Sequence, residues 1–224
     1  MYSRMEQSLK NEPRQVRSLT IGITHSAESS TIIEALAEYM RQYDNLNLKI
    51  ITNTTDNLYA MLGNYELDMA FMEGRTTDPA MNSMMLDTDC LILAVPPEHP
   101  LADRGVITVE QLKREKLILR LPSSNTRKLF TASLESQNLR IQDFNVIMEI
   151  DSVATIKDLI RHGFGVSVLA RSACLDEMRR GKLAALSVEN LSMTREINIV
   201  FPRDFEYPEL VRGIVATYNE MQRK

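Results

Sequence analysis

The first third of the chain alternates between two hydrophobic periodicities, and this alternation most constrains the fold. Apolar residues recur at every second position in residues 19–23, 46–50 and 67–71, which is the period of a β-strand. Between these segments they recur at helical spacing, in residues 32–43 and 58–62. The order strand, helix, strand, helix, strand is typical of a parallel sheet with right-handed crossover helices. We therefore expect an α/β fold.

Hydroxyl-rich turns follow the first two predicted strands. Thr24 and Ser26 lie in the first turn, and in the second turn Thr55 is the expected N-cap of the next helix. A helix N-terminus leaves backbone N–H groups unpaired and attracts anions and polar groups. In open parallel sheets, ligands bind at the carboxyl ends of the strands, where both turns lie. Helix capping alone also explains the hydroxyls, but a third such turn later in the chain favours a ligand site.

A second unit of the same kind is predicted after a proline-rich segment. Residues 86–95 form a predicted strand that runs directly into residues 96–101, where we place a hinge between two lobes. The third polar turn, residues 122–127, leads into a helix, and Ser152 is expected to cap another helix. Residues 196–201 are predicted to return as an edge strand, because apolar and polar residues alternate there. The pattern therefore predicts two lobes.

Composition excludes several classes of protein. The 224 residues are 44% hydrophobic and 25% charged, which is the range of ordinary folded domains. The chain has no uninterrupted apolar run of about 18 residues and no signal-peptide pattern, so we expect a cytoplasmic protein without a membrane segment. Residues 1–18 hold four basic and two acidic residues, so the rest of the chain carries a net charge of −6. This acidic body argues against nucleic-acid binding by this part of the protein.

The sequence shows no pattern typical of a metal or cofactor site. Cys90 and Cys174 stand far apart, without a paired-cysteine or zinc spacing, and are expected to be free thiols. The histidines have no second ligand at metal spacing. Gly163 and Gly165 lack the third glycine of a dinucleotide-binding fingerprint. We therefore predict no metal site, no cofactor and no catalytic residue.

Short motifs occur in a specific order across nearly the whole chain. They are residues 19–22 (LTIG), 66–70 (ELDMA), 95–101 (VPPEHPL), 120–127 (RLPSSNTR) and the segment 151–165 that ends in GFG. In this order and spacing they resemble the effector-binding domain of LysR-type transcriptional regulators. Each motif is weak alone, and their combination carries the resemblance.

The resemblance implies a fold like that of type 2 periplasmic binding proteins. In this fold two Rossmann-like α/β lobes are joined by two crossover strands and enclose a ligand cleft. Residues 18–95 and 195–224 would form lobe I, and residues 96–194 would form lobe II. Residues 1–17 would be the end of a linker helix that leads to a winged helix-turn-helix absent from this chain.

The resemblance also implies an effector site between the lobes. The positions that match are Thr24, Ser26, Thr55, Glu73, Asn125, Thr126, Arg127 and Ser152. The implied partner is a small molecule, either a carboxylate or other small anion or a zwitterion. An acid at residue 73 would repel an anion unless Arg75 or Arg127 neutralises it. Glu73 therefore favours an amine-bearing or zwitterionic metabolite.

Effector binding is expected to select one angle between the lobes and, through a dimer, one spacing of the DNA-binding heads. The first helix and a helix near residues 212–221 carry broad apolar stripes, from which we predict a homodimer, with a tetramer in the full-length protein. DNA would be bound only through the missing domain.

Two alternatives use the same fold: a solute-binding receptor of a transporter, and an enzyme, for which Glu73 with His25 is the proposed acid/base pair.

Overall fold

The structure, a computed structural model of the chain, describes residues 18–25, 27, 30–43 and 46–223. The predicted linker helix in residues 1–17 lies outside this part of the chain. The strands are β1 (Ser18–Thr24), β2 (Asn47–Asn53), β3 (Met69–Glu73), β4 (Met81–Val95), β5 (Val106–Ile107), β6 (Leu117–Arg120), β7 (Val146–Ile150), β8 (Ser167–Ala170), β9 (Ala184–Val188) and β10 (Thr194–Pro202). The α-helices are α1 (Ser30–Met40), α2 (Thr55–Gly63), α3 (Val109–Leu112), α4 (Asn125–Glu135), α5 (Val153–Arg161), α6 (Leu175–Arg179) and α7 (Pro208–Gln222).

Lobe I is built on the parallel strands β2, β1 and β3, as the alternating periodicities predict. Ile21 lies opposite Ile50 of β2 and Met69 of β3. Helices α1 and α7 cover one face of this sheet, and α2 covers the other. Gly22 allows α2 to approach, because a Cβ atom at this position would lie 2.7 Å from the side chain of Leu58.

Helices α1 and α7 pack against each other within the chain. Leu36 and Tyr39 of α1 share one buried cluster with Leu210 and Ile214 of α7. At Gly213 the backbone of α7 lies so close to α1 that a Cβ atom would be 2.4 Å from Cε2 of Tyr39. The apolar stripes from which the dimer was predicted therefore have a partner inside the chain. They do not by themselves require a second subunit.

Lobe II combines the later half of β4 with the strands that follow it. β8 and β9 pair antiparallel with β4, and β5 pairs parallel with β9. β6 and β7 form a separate parallel pair, which is joined to the rest by a bridge between Leu117 and Val166. Among the described residues, no helix combines the length and the hydrophobicity that a membrane-spanning segment requires.

β4 and β10 are the two strands that cross between the lobes. They pair antiparallel from Thr194 opposite Cys90 to Pro202 opposite Met81. Leu86 of β4 belongs to a lobe I core, whereas Leu91 belongs to a lobe II core. The two cores thus divide inside β4, whereas the lobe boundary predicted from the sequence lies at residues 95 and 96, where β4 ends.

β10 is not the predicted edge strand, because it lies between β3 and β4 and pairs antiparallel with both. Its polar residue Asn198 suggested a solvated face, yet Asn198 is buried and its Nδ2 donates to the backbone oxygen of Gly74 at 3.0 Å. β4 also begins earlier than predicted, at Met81, because its first half pairs with β10.

Candidate functional site

A cavity of about 340 Å³ lies between the two lobes, where strand ends and helix N-termini meet. Its wall in lobe I comes from the ends of β1 and β2 and the start of α2, and consists of Thr24, His25, Asn53, Thr54, Thr55 and Asp56. Its wall in lobe II comes from the ends of β6 and β7 and the start of α4, and consists of Arg120, Ser123, Ser124, Asn125, Lys128 and Asp151. This is the cleft that the polar turns predict.

Hydroxyl groups cap the helices that begin at the cavity. The N-cap of α2 is Thr54, one residue before the predicted Thr55, and its Oγ1 accepts from the backbone N–H of Asn57 at 3.4 Å. Ser124 caps α4 by accepting from the N–H of Arg127 at 3.1 Å. The hydroxyl of Thr55 is therefore left for other contacts. Both N-termini lie in the wall of the cavity, where backbone N–H groups attract negative charge.

The side chain of Asn125 crosses the cleft. Its Nδ2 donates to Oγ1 of Thr55 at 2.9 Å and to Oε2 of Glu73 at 2.8 Å. Asn125 belongs to lobe II, whereas both acceptors belong to lobe I. Thr24 donates its hydroxyl to the same Oε2 of Glu73 at 2.8 Å. Four of the predicted site residues are thus joined in one hydrogen-bonded network that connects the lobes.

Glu73 is neutralised by a cation that the sequence did not point to. Nη1 of Arg195 donates to Oε1 of Glu73 at 3.0 Å, and Nη2 of the same residue donates to Oδ2 of Asp89 at 2.9 Å. The side chains of Arg195, Glu73 and Asp89 are 6%, 7% and 7% exposed. Both carboxylate oxygens of Glu73 are therefore already hydrogen-bonded. An ammonium group of a ligand would have to displace these partners, so the reason for preferring a zwitterion is lost.

The two arginines considered from the sequence have other acidic partners. Nε of Arg75 donates to Oε2 of Glu196 at 2.8 Å, on the surface, and this hydrogen bond lowers the pKa of Glu196. Nη2 of Arg127 lies 3.1 Å from Oε1 of Glu149. Neither arginine neutralises Glu73.

Three further predicted residues, Thr126, Arg127 and Ser152, do not line the cavity. Thr126 and Arg127 are buried inside lobe II. Ser152 is exposed, and its Oγ caps α5 by accepting from the N–H of Thr155 at 3.2 Å. Ser26 lies outside the described residues. Of the predicted set, Thr24, Thr55 and Asn125 line the cavity.

Arg120 is one of several residues in the cavity wall that the sequence did not identify as site residues. It ends β6, in which all four residues are buried, and it is only 2% exposed. Its Nη2 donates to Oδ1 of Asp151 at 3.1 Å, whereas Nε and Nη1 have no hydrogen-bond partner among the described residues. A cation at the end of a buried apolar strand, directly before a polar turn, is a signal that could have identified it.

A second cavity, of about 550 Å³, lies on the other side of the crossover strands, between α1 and α7 of lobe I and α6 of lobe II. Its acidic groups are already hydrogen-bonded. The hydroxyl of Tyr218 donates to Oδ2 of Asp87 at 2.6 Å, and that of Ser172 donates to Oδ2 of Asp89 at 2.9 Å. Burial raises the pKa of Tyr218 above its ordinary value. The arginines that line it, Arg171 and Arg179, are exposed to solvent, whereas Arg120 of the first cavity is buried, so this site is the weaker candidate.

The arrangement of titratable groups bears on the enzyme alternative. Within the described residues, no group of His, Cys, Asp and Glu side chains is arranged to hold a metal ion. The carboxylate of Glu73 bonds to Thr24, Asn125 and Arg195 rather than to His25, the base proposed as its partner. A carboxylate that accepts all of these hydrogen bonds connects the residues of the cleft to one another.

Comparison with known sequences finds one domain family that matches nearly the whole chain. Residues 14–222 match the family described as the LysR substrate binding domain. The chain is 26% identical over 192 residues to the HTH-type transcriptional regulator CysL of Bacillus subtilis, covering 86% of this chain and 61% of CysL. It is 32% identical over 154 residues to the uncharacterized HTH-type transcriptional regulator YeiE of Escherichia coli, covering 68% of this chain and 51% of YeiE. The chain thus spans 51% to 61% of the length of these curated relatives.

Solved structures share the fold. A full-length OxyR variant from Pseudomonas aeruginosa superposes with a TM-score of 0.80 at 20% identity, covering 96% of this chain and 74% of OxyR. The regulatory domain of CcmR from Synechocystis PCC6803, in complex with 2-PG, gives a TM-score of 0.79 at 20% identity, covering 91% of this chain and 98% of that domain. The predicted type 2 periplasmic-binding-protein-like fold, with two lobes and two crossover strands, is confirmed.

Proposed function

Since this chain belongs to the LysR substrate binding domain family, we propose that it is the effector-sensing part of a transcriptional regulator that reads the concentration of a small polar metabolite. The effector binds between the lobes and selects one interlobe angle. The change reaches DNA through a helix-turn-helix domain elsewhere in the full-length protein. The similarity to CysL and YeiE, which are HTH-type transcriptional regulators, supports this role.

The hydrogen bonds of Asn125 carry the proposal. They join lobe II to Thr55 and Glu73 of lobe I directly beside the cavity. A ligand in this cavity therefore contacts both lobes and competes with, or reinforces, the bonds that hold them together. A ligand can shift an equilibrium between two states only by its difference in affinity for them, and a site shared by both lobes supplies this difference.

The proposed contacts of the effector are Thr24, Thr55 and Asn125, which line the cavity, and Ser26, which follows Thr24 by two residues in the sequence. We assign supporting positions to Glu73 and Arg127. Glu73 accepts hydrogen bonds from Thr24 and Asn125, and Arg127 donates to the backbone oxygen of Arg120. We propose that Thr126 and Ser152, at the starts of α4 and α5, belong to the site at a greater distance from the effector. The complex of CcmR with 2-PG supports a small-molecule effector in this fold.

We further propose that the protein works in the cytoplasm, without catalysing a reaction, as a homodimer that becomes a tetramer when full-length. Regulators of the same family support the oligomer, whereas the apolar stripes of α1 and α7 no longer do. Analytical ultracentrifugation of this chain tests the dimer. A monomer at every accessible concentration would refute it for this part of the protein.

Hydrogen–deuterium exchange with a metabolite panel tests the site. The panel includes 2-PG, sulfate, acetate, glycine and a neutral sugar. A binder is expected to protect the amides at the N-termini of α2 and α4, because the cavity lies between them. Asn125→Ala should weaken binding about threefold to tenfold, since a hydrogen-bond donor is lost from the wall.

The matched control is Asn145→Ala, which removes an exposed asparagine side chain in the same lobe outside the cavity. It should leave affinity and protection unchanged. The proposal fails if every binder protects amides only outside the cleft, or if Asn125→Ala and Asn145→Ala behave alike.

A further inference from the structure

We infer that the cavity is an oxyanion site in which the guanidinium group of Arg120 binds a carboxylate, sulfate or phosphate group of the effector. The inference rests on the proposed function, because it names the chemistry of a ligand in the same cleft. Its evidence is separate, and comes from the hydrogen bonding of one buried side chain.

Arg120 is the starting observation. A guanidinium group has five N–H donors and always carries its charge. Within the described part of the chain, Arg120 uses one nitrogen, in the bond of its Nη2 to Asp151, while Nε and Nη1 have no partner. The side chain is 2% exposed, so bulk water does not solvate the remaining donors. Burying a charge with unused donors is unfavourable unless another acceptor completes its shell.

Two other buried arginines of the same protein are more fully paired. Arg127 donates to the backbone oxygen of Arg120 at 3.4 Å and pairs with Glu149 at 3.1 Å. Arg195 pairs with both Glu73 and Asp89. Arg120 differs from both because its one acid, Asp151, is 64% exposed and lies at the wall of the cavity. An oxyanion ligand would supply the acceptors that Asp151 alone does not.

The rest of the wall favours the same ligand chemistry. The N-termini of α2 and α4, capped by Thr54 and Ser124, lie in the wall and present positive ends of helix dipoles. The ammonium group of Lys128 adds a second cation. The acids of the wall are Asp151, which pairs with Arg120, and Asp56, which is exposed. The two cations and two acids of the wall balance in charge, so the helix N-termini and the unused donors of Arg120 are what favour an anion.

Isothermal titration calorimetry at constant ionic strength tests the inference. The probes are sodium sulfate, sodium phosphate and sodium acetate, with ethylammonium and glycerol as the cationic and neutral comparisons. At least one of the three anions is expected to bind, and the preferred anion identifies the source of the oxyanion group. Arg120→Gln should weaken its binding by about 10- to 100-fold, which is the range for losing a charge-assisted hydrogen bond. Arg120→Lys should weaken it less, because the charge remains.

Asp151→Asn gives a test in the opposite direction, because the side chain is exposed and the amide oxygen of asparagine can still accept the hydrogen bond from Arg120. Asp151 competes with the ligand for Arg120, so its neutralisation should strengthen anion binding by about threefold or more. This variant decides the question if Arg120→Gln fails to fold. The control is Arg171→Gln, which removes an exposed arginine that lines the other cavity and should leave anion affinity unchanged.

Two results would overturn the oxyanion site. One is an anion whose affinity is the same in the wild type, Arg120→Gln and Asp151→Asn. The other is a cationic or neutral metabolite that protects the cleft in hydrogen exchange while no anion binds. Both leave the effector-sensing function in place. A complete lack of cleft protection by ligands of every charge removes the proposed function itself.

Discussion

Burial keeps the thiol of Cys174 protonated. The side chain is fully buried in lobe II, and this burial raises the pKa of the thiol from 9.0 to about 12. In the unfolded chain the thiol ionises near the lower value. The protonated form therefore stabilises the folded state below about pH 9, and this contribution is lost as the pH rises towards about 12.

The alkaline stability of Cys174→Ala tests this linkage. Between about pH 9 and pH 11 the wild type should lose more unfolding free energy than the variant, by about 1.4 kcal/mol per pH unit. Urea titrations followed by circular dichroism measure the difference. Cys90→Ala is the comparison, because Cys90 is only partly buried, so burial raises the pKa of its thiol less and the effect of this variant should be smaller. Parallel pH profiles of the wild type and Cys174→Ala would contradict the expectation.

At the scale of single elements, Gly213 controls how closely α7 packs on α1. Gly213→Ala should destabilise the protein by about 1–3 kcal/mol, because the new methyl group would overlap the ring of Tyr39. This is opposite to the preference of helices for alanine. Thermal or urea unfolding measures the change.

Gly63→Ala provides the comparison, because a Cβ atom at Gly63 meets nothing within 4 Å at the end of α2. Its helix preference should dominate and stabilise the protein by about 0.5–1 kcal/mol. If Gly213→Ala were as stabilising as Gly63→Ala, the close approach of α1 and α7 would be wrong.

The elements that local sequence determines were predictable, and those that depend on distant pairing were not. The alternation in residues 19–71 indicated β1, α1, β2, α2 and β3, because periodicity reports which face each element buries. The predicted position of β10 at the sheet edge was wrong. An alternating sequence pattern is compatible with both an edge strand and a central strand, and only the neighbouring strands distinguish them.

The same limit applies to the site. Thr24, Thr55 and Asn125 lie at the ends of strands or the starts of helices, and topology alone brings them to one cleft. The partner of Glu73 could not be predicted, because Arg195 lies 122 residues away in sequence. Arg120 was missed because its unused donors appear only when burial and partners are counted together.

At the scale of the whole molecule, the side chain of Asn125 connects the two lobes by hydrogen bonds. Asn125→Ala removes its bonds to Thr55 and Glu73 and should shift the population towards a more open form. Small-angle X-ray scattering should report a larger radius of gyration than for the wild type. Asn145→Ala should scatter as the wild type does. Identical profiles for all three proteins would show that the amide of Asn125 does not restrain the lobes.

The pairing of β4 with β10 limits how the two lobes can move relative to each other. Their ladder shifts register between Ile197, which lies opposite Asp87, and Asn198, which lies opposite Met85. This shift is close to the stretch of β4 where the two cores divide. A bulge bends a strand and increases its local twist. The lobes are therefore connected by a hydrogen-bonded ribbon with a register shift, and we expect them to turn relative to each other by torsion of that ribbon. A ligand that bridges the cleft would then change the angle between the lobes more than their distance.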